Sequence, residues 1–79
     1  MEELSMELVP LYEDIGRSVG LYSYPSPELV AKFEQLRLQA LGIQKKAEEK
    51  GEKLIIFKTE NLYAFLSRCI DDMNSQLEY

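Results

Sequence analysis

Residues 26–51, SPELVAKFEQLRLQALGIQKKAEEKG, decide how this chain folds. Leu29, Phe33, Leu36, Ala40, Ile43 and Ala47 recur at alternating steps of four and three, which aligns them on one side of an α-helix. The stretch also carries its own boundaries. Ser26 suits the amino-terminal cap, Pro27 the first helical position, where an N–H is not needed, and Glu28 the positive end of the helix dipole. Gly51 supplies the stop, with Lys45, Lys46 and Lys50 gathered near the negative end. A helix over 27–50 is expected.

On the amino-terminal side, Leu4, Leu8, Leu11, Ile15, Val19 and Tyr22 form a weaker seam that predicts a helix over about 3–19. Pro10 lies inside it, roughly opposite the seam. Proline deletes one backbone bond and crowds the preceding turn, so a kink at Pro10, or a helix start there, is expected. Gly20 ends the segment, and residues 20–26 (GLYSYPS) form a linker. On the carboxyl-terminal side, Leu62, Leu66, Cys69, Met73 and Leu77 predict a helix over 60–77 with Thr59 as its cap. Residues 54–58 (LIIFK) are ambiguous. Their β-branching suits a strand, but no second strand exists for pairing, which favours a buried connection or the first turns of the third helix.

The expected fold is all-α: one domain over 1–79, three helices in up-down-up order, the first kinked at Pro10. A chain of 79 residues buries only about 60% of the surface its unfolded form exposes, so dimerisation is a natural way to complete its core. With 46% hydrophobic residues the chain is too apolar for a disordered tail. A single cysteine excludes an internal disulfide and favours a reducing compartment. The opening Met-Glu-Glu lacks the basic start of a secretory signal, and no run approaches the ~20 apolar residues of a membrane span. A soluble, cytoplasmic protein is expected.

Net charge is −5, unevenly spread. Residues 1–28 hold six acids against Arg17, residues 29–58 four acids against seven bases, and residues 59–79 four acids against Arg68. A basic middle between acidic flanks suits a bundle in which unlike faces meet.

Little in the chain suggests catalysis. There is no histidine, the commonest general base and metal ligand. Cys69 falls in an apolar seam, and neighbouring Arg68 points away from it on a helix. Asp71 and Asp72 diverge and lack a ligand loop. No phosphate-binding glycine loop, CxxC pair or nucleophile elbow occurs. No enzymatic activity, cofactor, metal or small-molecule substrate is expected.

Lys45, Lys46, Lys50, Lys53 and Lys58 invite a nucleic-acid reading, but Glu48, Glu49 and Glu52 interleave with them. Counterion release needs several uncompensated cations on one face, so nucleic acid is not the expected partner. The mixed or acidic polar faces likewise argue against a membrane surface. Ser26-Pro27 is a minimal proline-directed phosphorylation context, but capping alone accounts for both residues.

What exceeds the needs of a small bundle is apolar surface. Val30, Leu38 and Leu41 form a second stripe on the central helix, Tyr63, Phe65 and Ile70 widen the third, and Ile55, Ile56 and Phe57 add to both. Tyr22 and Tyr24, set among two prolines, either seal the bundle's end or dock on a partner. The expected function is a non-catalytic protein–protein interaction module, a small regulatory or assembly subunit binding another protein or a second copy of itself. Its expected contact residues are Tyr22, Tyr24, Val30, Leu38, Leu41, Phe57, Tyr63 and Phe65. Two alternatives are an inhibitor mimicking an anionic ligand through Glu2, Glu3, Glu7, Glu13 and Asp14, and a nucleic-acid-associated regulator using the Lys45–Lys58 region.

Overall fold

The central helix forms with its expected boundaries. In the computed structural model, which describes residues 2–78 and the side chains of residues 4–78, α2 spans Pro27–Lys50. The Ser26 hydroxyl accepts the Leu29 N–H at 3.1 Å, while Ser26 itself is extended. At the far end Gly51 adopts φ 69° and ψ 27°, its N–H donating to the Glu48 carbonyl and that of Glu52 to the Ala47 carbonyl. This pair of reversed bonds satisfies carbonyls the helix would otherwise leave open, and it needs a left-handed residue that glycine supplies without steric cost.

The other two helices are α1 (Glu2–Val19) and α3 (Lys53–Leu77), so the all-α, three-helix expectation holds. α1 runs unbroken through Pro10, which is exposed. The hydrogen bond that Pro10 cannot make would end on the carbonyl of Met6, itself a well-exposed residue, so water can reach the open acceptor.

α3 begins at Lys53 rather than near residue 60, and residues 54–58 are its opening turns. Thr59 is not a cap. It sits fully buried inside the helix, its hydroxyl donating to the carbonyls of Ile55 at 2.9 Å and Ile56 at 3.0 Å. A hydroxyl satisfied within its own helix can be buried at little cost. With Thr59 inside, the α3 seam reads Ile55, Thr59, Leu62, Leu66, Cys69 and Met73, all buried. Leu77, the expected last member, is instead exposed.

The seam of α1 also ends differently. Leu4, Leu8, Leu11 and Ile15 are buried as expected, but the next position belongs to buried Ser18, and Val19 points outward. The three seams join in one core around Phe33, Leu36 and Leu66, with the second-stripe residue Val30 included.

The helices pair unequally. α2 and α3 pack closely along most of their length, α1 packs on α2 less extensively, and direct contact between α1 and α3 is slight. Ala40 and Ala47 on α2 and Thr59 on α3 are fully buried small residues that let the two backbones approach. Arg37 reinforces that pair, donating to the Ser67 hydroxyl at 3.2 Å with its guanidinium 5.5 Å from the centre of the Tyr63 ring. α1 is tied to α2 by the ion pair of Lys46 with Glu7 at 2.9 Å, which joins the start of one helix to the end of the other as an antiparallel pair requires. The molecule measures 44 × 18 × 14 Å with a radius of gyration of 13.3 Å. A rounder chain of this length would have about 12 Å.

Candidate interaction surface

Because α1 and α3 lean on α2 more than on each other, a groove runs between them on the side away from α2. The α1 wall is the line Ser5, Val9, Tyr12, Gly16 and Val19, at steps of four and three. The α3 wall is Leu54, Lys58, Asn61, Phe65, Arg68 and Asp72, with the same stepping. Contacts at each end fix these walls opposite one another. Ser5 shares a cleft of about 510 Å³ with Leu54 and Lys58 beside the Gly51 turn. Val19 and Tyr22 share one of about 350 Å³ with Phe65, Arg68 and Asp72. One step before Val19, a methyl group placed on Gly16 would meet nothing within 4 Å, so the space there is open.

These walls expose large apolar side chains. Tyr12 is 44% exposed, Phe65 42% and Leu54 63%, with Phe57 at 61% just outside the α3 line. Each is too exposed to count as core, yet the spacing sets them in rows rather than scattering them. Contiguous apolar surface of this kind marks interaction sites more often than isolated exposed residues do. The α1 wall carries no charge. On the α3 wall Lys58 and Arg68 are cations without an ion-pair partner among the described residues, and Asp72 accepts the Tyr22 hydroxyl at 2.7 Å.

Of the eight residues expected to bind a partner, Phe65 lies on the α3 wall and Tyr22 at the groove's end, while Phe57 is exposed outside the α3 line. Val30 belongs to the core, correcting its expected place at the surface. Tyr22 is an internal tie: its ring lies 6.4 Å from that of Phe33 and its hydroxyl reaches Asp72, joining the linker to both α2 and α3. That hydrogen bond to a carboxylate, with some burial, pushes the Tyr22 phenol up to about 12. Tyr63 lies under Arg37, and Leu41 is half-buried. Leu38 and Tyr24 are exposed, but Leu38 stands alone on the outer face of α2 and Tyr24 at the tip of the linker. The reading from sequence missed Val9, Tyr12 and Leu54. The second set of steps in α1 and α3 was the signal that could have found them.

Other candidates resolve simply. Cys69 is buried, and burial pushes its thiol up, away from the thiolate a nucleophile needs. Asp14 is held below the usual carboxylate range by its hydrogen bond to Arg17. Lys46 is occupied by Glu7, which removes one cation from the basic cluster and one carboxylate from the acidic flank. The side chains of Glu2 and Glu3, two members of the proposed anionic mimic, lie outside the described residues. Among the described residues no group of three histidine, cysteine or acidic side chains could hold a metal ion, and no helix is long and apolar enough to cross a membrane.

Fold and surface together define a small three-helix bundle with an open, apolar-lined groove between α1 and α3. Part of the chain is similar to ATPase family AAA domain-containing protein 2. It is 39% identical over 54 residues to the Mus musculus protein, covering 68% of this chain and 5% of that one. It is 34% identical over 56 residues to the Homo sapiens protein, covering 71% of this chain and 4% of that one. The chain thus spans about a twentieth of the length of these relatives. No protein-family model matches it, and no solved structure does.

Proposed function

We propose that this chain is a non-catalytic interaction module, a small regulatory or assembly unit that docks through apolar helix faces. The supporting observation is the groove between α1 and α3, where Tyr12, Leu54 and Phe65 expose apolar area that the domain's own core does not use. A stretch amounting to 5% of a AAA-domain-containing ATPase is the size of an accessory element, and ATPase chemistry is not proposed for this chain. The absence of histidine from the sequence and the buried, raised-pKa thiol of Cys69 further support a binding role.

Photo-reactive residues placed singly at Tyr12 and Leu54, with exposed Glu49 on the outer face of α2 as control, test the reading. Discrete adducts of one mass from the groove positions and none from Glu49 are expected. Absence of discrete adducts from both groove positions overturns it.

A further inference from the structure

Resting on the interaction-module reading, we infer that the α1–α3 groove receives one amphipathic helix of a different protein, with acidic residues along the edge that meets α3 and an uncharged opposite edge. The argument for a helix is geometric. Ser5, Val9, Tyr12, Gly16 and Val19 face Leu54, Lys58, Asn61, Phe65 and Arg68, both rows stepping by four and three. Two such rows are the walls that a further helix with its own four-three seam fills in a bundle. The gap at Gly16 leaves room for a knob from that helix. From Leu54 to Asp72 the groove takes a helix of about 18 residues, some 27 Å long.

The argument for acidity is electrostatic and one-sided. Lys58 and Arg68 stand on the α3 wall without ion-pair partners among the described residues, they outnumber the wall's one carboxylate, Asp72, and the α1 wall has no charge at all. Carboxylates along one edge of the incoming helix complement this arrangement, whereas lysines there would be repelled. The same charges argue against a second copy. A two-fold axis across the groove sets the cationic α3 wall against its own image, and one along the groove sets it against the uncharged α1 wall, so neither pairing gives the cations a carboxylate from the groove walls.

The test uses three fluorescent peptides of about 18 residues with one leucine seam at four-three spacing. Their α3-side edge carries glutamate, glutamine or lysine, and binding is read by anisotropy. The glutamate peptide is expected to bind roughly tenfold more tightly than the lysine peptide, with glutamine between. Leu54→Asn combined with Phe65→Asn should lose this binding, Leu38→Asn should keep it, and Lys58→Glu combined with Arg68→Glu should invert the peptide order. Circular dichroism on each variant confirms that the helices persist.

Equal binding of all three peptides, or binding indifferent to Leu54 and Phe65, overturns the inference. A concentration-dependent dimer of the wild type that Phe65→Asn dissociates, without peptide binding, overturns the acidic helix yet upholds the interaction module. A folded monomer with neither peptide binding nor photo-adducts overturns both.

Discussion

Gly51 and Tyr22 show how single residues set this fold. Gly51 holds the one positive φ among the described residues, and a two-residue turn there reverses the chain between α2 and α3. Open space surrounds its missing Cβ, so the cost of a side chain is purely conformational. Gly51→Ala should lower stability by about 1–2 kcal/mol, read as a shift in urea midpoint with unchanged slope. Tyr22 makes a different prediction. Its phenol is raised to about 12 by the hydrogen bond to Asp72, so the folded state holds that proton more tightly than the unfolded chain does. The stability it contributes is complete below the ordinary tyrosine value near pH 10 and is lost as pH rises toward 12. At neutral pH Tyr22→Phe should cost on the order of 0.5–1 kcal/mol, since water reaches both partners. The gap between wild type and Tyr22→Phe should then close between pH 10 and 12, which paired urea titrations would reveal.

At the level of elements, the α2–α3 hairpin is the stable unit and α1 the added one. Small residues are buried between α2 and α3, and Arg37 spans them, whereas α1 is held by its own seam, the Lys46–Glu7 ion pair and the Tyr22 tie. Hydrogen exchange should therefore show the central amides of α1 opening before those of α2 and α3. Leu66, fully buried where the seams meet, should be the most sensitive position in α3. Leu66→Ala should cost about 2–5 kcal/mol, a large share of the total for a domain this size, and should broaden or abolish the thermal transition. The third helix also shows where sequence reading stops. Its later turns were legible because apolar residues repeat there, but Thr59 looks like a cap in isolation. Only the two carbonyls that its hydroxyl meets reveal it as a seam residue.

Across the described residues, unequal pairing produces an elongated body that is open between α1 and α3. Exposed apolar residues are then of two kinds. Leu38, alone on the outer face of α2, should tolerate Leu38→Asp with a stability change within about 0.5 kcal/mol and no change in solution mass by light scattering. Phe65 borders the groove, and its removal should abolish binding while leaving helicity intact. The contrast could not be drawn from the sequence. Leu38 lies opposite the α2 seam and Phe65 beside the α3 seam, but which neighbour flanks Phe65 depends on how the helices are arranged.

The chain's periodicity determined the helical class, the extent of α2, the caps at Ser26 and Gly51, and the burial of Cys69, because each depends on residues within a few turns of one another. Tertiary structure decided what depended on distant partners: the burial of Val30, the use of Tyr22 as an internal tie, the contact of Arg37 with the Tyr63 ring, and the groove itself. A four-three row marks a helix face without saying whether another helix covers it. α1 and α3 each carry two such rows, and only the packing on α2 shows which row is core and which remains open.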